Sequence, residues 1–191
     1  MSSPDTDMIP PCLDAQKVSE WVRQFDSADR KTAILLFESL MLVQTSDYEA
    51  TLLRLVRTHL ESARHSVALF AIRELRGKPY FHPTDSTIRP NAVDSGAGVG
   101  SEGPTAHLIR DISTTLGPRV LDHPSITMMR TSRCKEILLL EDIAGTGGHA
   151  LKFLKGLYSH PTIKSWLSLK YLRFTILVYA TTTQAKKRIE A

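Results

Sequence analysis

The sequence of 191 residues has little cysteine and no grouping of residues that suits a structural metal. Its two cysteines, Cys12 and Cys134, stand far apart, as is usual for proteins from a reducing compartment. The histidines at positions 65, 82 and 123 do not have the spacing of metal ligands. We therefore expect neither a disulfide-stabilised scaffold nor a zinc module.

Long apolar runs and a signal peptide are also missing. No apolar run approaches the roughly 20 residues that a membrane helix needs. Residues 1–11, MSSPDTDMIPP, lack the basic start and the apolar stretch of a secretory signal. We expect a soluble, cytoplasmic protein with no membrane partner.

The chain is only mildly basic, with a net charge of +4. This permits an anionic partner, such as a phosphorylated metabolite or a nucleic acid, but it fits a generic protein surface equally well. Apolar residues make up 42% and charged residues 23% of the chain, which is ordinary globular composition. The length predicts one domain, or one domain with an extension.

Several common catalytic motifs are absent. Ser101 follows Gly100 but does not lie in the G-x-S-x-G turn of a hydrolase. The Gly-rich segment near position 147 is not followed by Lys-Ser or Lys-Thr, so it is not a Walker A loop, and it is not G-x-G-x-x-G either.

The first third of the chain has helical periodicity. Apolar residues recur at helical spacing from Val18 to Phe25, from Ala33 to Val43 and from Leu52 to Leu60. The capping-box pattern of Ser46 to Glu49 indicates the start of the third helix. We interpret residues 1–64 as an N-terminal helical extension that serves packing or, alternatively, docks a protein partner.

The remainder alternates between strand and helix patterns. Val67–Ile72 indicates a buried strand or the end of the third helix, and a long loop rich in Gly and Pro covers residues 77–104. A helical face follows Pro104. Apolar runs at Ile137–Leu140 and Leu172–Tyr179 flank a further helix, and short helices are expected after Pro161 and over residues 183–190. This alternation predicts an α/β core with a parallel sheet over residues 65–191.

The stretch ILLLEDIAGTGGHALKFL, residues 137–154, contains most of the candidate ligand-binding residues. We expect its strand to end at Leu140, so that Glu141 and Asp142 stand where ligands bind in open α/β sheets. The small residues of 144–148 then let backbone N–H groups and a helix N-terminus converge on a phosphate. The acids suit sugar hydroxyls or a divalent metal that bridges them. A tight turn with two solvated acids is the simpler alternative.

This stretch resembles the ribose-5-phosphate loop of the type I phosphoribosyltransferases, which have a Rossmann-like core. Four apolar residues, the acid pair Glu141 and Asp142, and the run Thr146, Gly147 and Gly148 match the family pattern. The resemblance implies that the acids are the catalytic pair and hold the ribose of phosphoribosyl pyrophosphate (PRPP), with Mg²⁺ as cofactor. It further implies a 5′-phosphate site formed by Ala144, Gly145, Thr146, Gly147, Gly148 and His149. His149 replaces the usual final Thr.

The helical front and the EDIAGTGG segment also resemble a branch of this family found in bacterial conflict and anti-phage defence, including retron-associated systems. In the larger family a second loop, between the first strand and its helix, binds pyrophosphate. The matching candidate is the segment 96–103, with Gly100, Ser101 and Glu102, and a flexible linker is the alternative.

The sequence leaves open whether the chain catalyses a reaction. The family usually adds further strands and a hood that selects the base, for which the given sequence leaves little room. Three interpretations stay open: a fragment whose core is incomplete at the C-terminus, a core completed by a partner, and a chain that binds without catalysing. The alternative function is a nucleotide-sensing or scaffold subunit that docks a protein or nucleic-acid partner. The basic residues 186–188 fit either a solvated helix end or a contact to nucleic acid.

Overall fold

The computed structural model describes residues 15–41, 43–93 and 102–191. The chain divides into two compact units, Met1–Gln44 and Thr45–Ala191. The first unit contains helices α1 (Ala15–Arg23) and α2 (Arg30–Ser39). The Trp21 ring packs edge-on against Phe25 at 4.8 Å between centroids and lies 6.0 Å from Phe37, so aromatic contacts join the two helices.

The second unit is an α/β fold with one parallel sheet, as the sequence predicts. Its elements are α3 (Thr45–Ser62), β1 (Val67–Ala71), α4 (Glu102–Leu116), β2 (Val120–Asp122), α5 (Ile126–Thr131), β3 (Glu136–Ala144), α6 (Gly148–Tyr158), α7 (Pro161–Ser168), β4 (Arg173–Thr181) and α8 (Thr183–Glu190). The strand order is β2-β1-β3-β4, and every neighbouring pair is parallel. The strand β2 and the helix α5 were not predicted.

Helices cover both faces of the sheet, which is why its central strands consist of continuous apolar runs. One face packs against Leu52 and Val56 of α3 and against Ile109 and Ile112 of α4. The other face packs against α5, α6 and α7, with Phe153 fully buried at its centre. Burying each such side chain stabilises the fold by about 1.5–3 kcal/mol. The third helix of the predicted extension therefore packs within the same unit as the sheet.

A buried carboxylate joins several elements at the amino end of β3. Glu136 is fully buried, and its carboxylate accepts hydrogen bonds from Arg173 (2.8 Å) and Thr175 (2.6 Å) of β4. The Nε2 atoms of His59 and His65 lie 3.0 and 3.4 Å from its two oxygens. One side chain thus connects α3, the segment before β1, and the β3–β4 pair.

The strand order determines where a ligand can enter. The chain passes from β1 through α4 to β2 on one side, and then crosses back through α5 to β3 on the other side. This reversal separates the carboxyl ends of β1 and β3, which is the position at which open parallel sheets form their ligand crevice.

Among the residues that the structure describes, none of the helices has both the length and the apolar character that crossing a membrane requires.

Candidate functional site

Strand β3 is longer than the sequence predicted. The prediction that it ends at Leu140 is wrong, because β3 continues to Ala144 and pairs with β4 as far as Thr181. Pairing with β4 satisfies the backbone hydrogen-bonding groups of residues 141–144, so the strand continues although these residues are not a continuous apolar run. Glu141 and Asp142 therefore lie within the strand and not in the loop that follows it.

Because side chains alternate along a strand, the two acids face opposite sides of the sheet. Glu141 follows Leu139 on the α6 side and is 5% exposed. Its Oε1 atom lies 3.2 Å from Nδ1 of His149 in the first turn of α6. Its Oε2 atom is buried and has no hydrogen-bond partner among the described residues. A buried carboxylate oxygen without a donor is costly, and a ligand hydroxyl or a cation would satisfy it.

Asp142 lies on the α3 side, beside Tyr179 of β4. Its Oδ1 atom accepts a hydrogen bond from the Ile143 N–H at 2.8 Å. The Tyr48 ring packs 5.6 Å from the Tyr179 ring, and the Tyr48 hydroxyl is 2.8 Å from that of Thr105. Burial, together with the negative charge of Asp142, raises the pKa of Tyr48. The sheet thus separates the acids, and a joint role in holding one ribose stays a prediction.

The link from β3 to α6 consists of only Gly145, Thr146 and Gly147. Gly147 has a φ of +69°, and α6 begins at Gly148. The Thr146 hydroxyl accepts a hydrogen bond from the Gly148 N–H at 3.3 Å. The N–H groups of Thr146 and Gly147 donate to no acceptor in the part of the chain that the structure describes. These N–H groups and the N-terminus of α6 lie together, an arrangement that favours anions.

Helix α8 supports this loop from outside. The Thr182 hydroxyl donates to the Gly145 carbonyl at 2.5 Å, and the Arg188 guanidinium donates to the Thr146 carbonyl at 3.3 Å. A Cβ atom at Gly147 would lie 3.1 Å from the carbonyl oxygen of Ala185. Arg188 is therefore a contact of the loop itself, which neither interpretation of the basic segment anticipated.

The two loop glycines provide a matched test. We expect Gly147→Ala to lower the free energy of unfolding by roughly 1–3 kcal/mol, because the left-handed backbone strains an L-residue and the new Cβ presses on α8. Gly145→Ala should change it by less than about 0.5 kcal/mol, since nothing lies within 4 Å of its Cβ position. Urea unfolding of both variants measures the difference. Equal losses would contradict this account of the loop.

The turn from β3 to α6, with the start of α6, forms one wall of a crevice of about 510 Å³ at the carboxyl edge of the sheet. Thr146, Gly148, His149 and Lys152 line that wall, and the segment 73–77 after β1 lines the other. Leu75 holds this segment against α6, because Gly156 leaves room for its side chain: a Cβ there would lie 2.0 Å from Leu75 Cδ1.

Arg73 is the most unusual residue of the crevice. Its side chain is 8% exposed, its guanidinium lies 5.2 Å from the centroid of the Tyr80 ring, and its Nη1 donates to the Glu74 carbonyl. Its Nε atom is buried without a partner, and no carboxylate among the described residues pairs with it. An unpaired buried charge is costly, and an anionic ligand would compensate that cost.

The predicted pyrophosphate loop lies mostly outside the described residues. Gly100 and Ser101 fall within the undescribed segment 94–101, and Glu102 begins α4 without a described side chain. The segment 73–77 directly after β1 was not singled out. The sequence did contain a signal for this segment, because its basic residues directly follow the buried strand that was predicted.

Two other chemistries find no support at this site. Burial raises the pKa of the Cys134 thiol to about 11, so it is no nucleophile near neutral pH. Among the described residues, no group of three or more His, Cys, Asp or Glu side chains could hold a metal ion. Any cation would need oxygen atoms from its ligand.

One of three comparisons with known proteins found a match. No curated protein and no solved structure matches the chain significantly. The family model PRTase-CE, a phosphoribosyltransferase-type domain, matches residues 18–191. That match covers the sheet, the turn from β3 to α6 and the helices around them. The chain therefore belongs to the PRTase-CE family and contains a phosphoribosyltransferase-like domain.

Proposed function

We propose that the chain binds PRPP in the crevice, with the 5′-phosphate on the loop 145–149 and the pyrophosphate against the segment 73–77. The observation that carries the proposal is the buried side chain of Arg73, which has no carboxylate partner among the described residues and lines the crevice opposite the loop 145–149. Lys152 adds an exposed cation on the same crevice. Two anionic groups joined by a ribose suit two cationic walls.

Glu141 is the proposed acceptor for the ribose. Its buried Oε2 atom needs a donor, and a sugar hydroxyl would supply one. Its other oxygen is held by His149, which fixes the carboxylate relative to the phosphate loop. His149 therefore orients Glu141 in this proposal, a role that the Thr usual in the family could not fill in the same way.

The residues present also fit a magnesium ion that arrives with PRPP. Mg²⁺ in such sites is commonly bound by one or two carboxylates together with substrate phosphates. Glu141 offers one unsatisfied carboxylate oxygen, and it would hold the ion together with oxygens of the ligand. The ion would neutralise charge on the pyrophosphate. Asp142 faces the other side of the sheet and is not part of this set.

The same arrangement suits transfer of the phosphoribosyl group. As the bond from ribose C1 to pyrophosphate breaks, negative charge grows on the leaving oxygen. Arg73, Arg76 and Lys152 are the cations that line this crevice and would stabilise that charge, and fixed charges of this kind are a main source of rate enhancement. A role in anti-phage defence, implied by the sequence resemblance, remains a further proposal that a plaque assay with and without Arg73→Met would test.

Calorimetric titration with PRPP and Mg²⁺ tests the binding proposal. We expect saturable binding, and Lys152→Gln should weaken it roughly 5- to 20-fold because one charge-assisted contact to phosphate is lost. Lys155→Gln is the matched control, since Lys155 is an exposed lysine of the same helix that does not line the crevice. If PRPP does not bind, or if both variants weaken it equally, the assignment of this crevice is wrong.

A further inference from the structure

Helix α2 carries large apolar side chains in exposed positions. Ile34 and Leu35 are 41% and 58% exposed. The other exposed apolar residues of this helix and of the chain just after it are Leu36, Leu40, Met41 and Val43. A single exposed apolar side chain is ordinary on a protein surface, whereas a group of them is typical of a surface that binds another protein.

One side of α2 packs against α1, and another side carries a regular pattern. Ala33 is buried, and the Phe37 ring, one turn further along, lies 6.0 Å from the Trp21 ring of α1. The patterned side, which we call the α2 stripe, consists of Lys31, Ile34, Leu35 and Glu38. Their spacing of three, four and seven residues places them on one helix face, about 130° around the axis from the face that packs against α1.

The two charges of the α2 stripe are at the ends of the helix that do not favour them. Lys31 is in the first turn and Glu38 in the last, whereas the helix dipole favours acids in the first turn and bases in the last. In the part of the chain that the structure describes, neither residue forms an ion pair. Their placement therefore does not stabilise the isolated helix, and it suits a partner whose charges run in the opposite direction.

We propose that a second copy of this chain docks on the α2 stripe, with the two α2 helices antiparallel about a two-fold axis. The axis passes between positions 34 and 35 of both helices. Lys31 of each copy then faces the partner subunit's Glu38, so two ion pairs flank the contact. Between them, Ile34 of each copy packs against the partner subunit's Leu35.

The α2 stripe is complementary to itself only in this orientation. In a parallel pair, each Lys31 would face a lysine and each Glu38 a glutamate, and such like-charge contacts select against that arrangement. In an antiparallel pair the same four residues provide both halves of the contact, as a two-fold interface requires. The chain therefore already contains the pattern that its exposed face needs in a partner.

The size of the α2 stripe predicts a weak dimer. The steps from Lys31 to Glu38, at about 1.5 Å each, span about 10 Å. A contact of that length buries well under the roughly 800 Å² per partner of a stable interface. We therefore expect a dissociation constant on the order of 10–100 μM. No residue of the stripe lines the crevice, so this inference does not rest on the proposed function.

Sedimentation velocity of the full chain over roughly 1–300 μM tests the pairing by charge reversal. Lys31→Glu and Glu38→Lys should each weaken self-association roughly 10-fold, because both attractive pairs of the dimer become repulsive. An equimolar mixture of the two variants should associate about as tightly as the wild type, since each variant supplies the charge that the other lacks. Both side chains are exposed, so neither change should disturb the fold.

A pair of leucine substitutions tests the apolar centre of the contact. Leu35→Gln should weaken self-association at least about 10-fold. Leu169→Gln should leave it unchanged, because Leu169 is also 58% exposed but lies outside α2. A wild-type chain that stays monomeric throughout this concentration range would overturn the proposal. So would a mixture that associates no better than the single charge variants, or equal effects of the two leucine changes, since the interface would then be elsewhere.

Discussion

Arg73→Met is expected to remove most PRPP binding and, at the same time, to make the protein more stable. Removing a charged partner from a buried ion contact costs about 2–5 kcal/mol, so affinity should fall by roughly 30-fold or more. In the free protein the guanidinium has no carboxylate partner in the part of the chain that the structure describes, and burying such a charge is unfavourable by roughly several kcal/mol. The contact to the Tyr80 ring returns only about 1–2 kcal/mol. We therefore expect a net gain in unfolding free energy of about 1 kcal/mol.

Calorimetry and urea unfolding measure the two effects, and Arg130→Met is the matched control. The Arg130 guanidinium also lies over an aromatic ring, 5.8 Å from the Trp166 centroid, but this residue is exposed and does not line the crevice. Its replacement should leave PRPP binding unchanged and should not stabilise the protein. If Arg73→Met binds PRPP like the wild type, the buried charge does not serve this ligand, and a variant that fails to fold would contradict the expected gain in stability.

A substitution is expected to lower ligand affinity and raise the free energy of unfolding where the side chain serves a ligand rather than the fold. A residue that only supports the structure lowers stability when it is removed. Removing a residue whose burial is compensated only by the bound ligand raises the stability of the free protein. The pair of measurements therefore distinguishes a binding role for Arg73 from a structural one without any assumption about the reaction.

The larger periodic elements could be predicted from the sequence because their patterns are local. Helix α6, the strands β1 and β4, and the glycine loop were predicted near their observed positions. The phosphoribosyltransferase resemblance was confirmed by the family match over residues 18–191. Local spacing and the matching loop residues were sufficient for these conclusions, because both depend on residues that lie next to one another in the chain.

The features that were missed depend on contacts between distant segments. Strand β2 has only three residues, and a strand of that length has no periodicity to detect. The acids Glu141 and Asp142 are adjacent in the sequence, yet β4 extends the ladder past them and directs them to opposite faces. In the sequence Arg73 resembles any solvated arginine, because its position beside Tyr80 and α6 is visible only in the structure. The site was therefore predictable as a loop but not as a crevice.

The buried carboxylate of Glu136 gives the largest expected effect on stability. Burial alone would raise its pKa, but hydrogen bonds from Arg173 and Thr175, together with the nearby His59, outweigh burial and hold the pKa at about 2, below its ordinary value of 4.5. A lowered carboxyl pKa contributes stability that is fully present above 4.5 and is lost as the pH falls towards 2. The shift corresponds to roughly 3 kcal/mol. We therefore expect Glu136→Gln to cost about that amount at pH 7.

The pH profile separates the charge of Glu136 from its packing. Between pH 4.5 and pH 2 the wild type should lose about 3 kcal/mol more than Glu136→Gln, so the difference between them should nearly vanish at the acidic end. Urea unfolding at pH 7, 4.5, 3.5 and 2.5 measures this, with Glu61→Gln as the control for loss of one exposed carboxylate near the end of α3. If the unfolding free energies of wild type and variant differ by the same amount at all pH values, Glu136 stabilises the fold through packing and not through its charge. Since Glu136 is at the amino edge of the sheet, PRPP binding of the folded variant should not change, which would place the stabilising and ligand-binding functions at opposite edges.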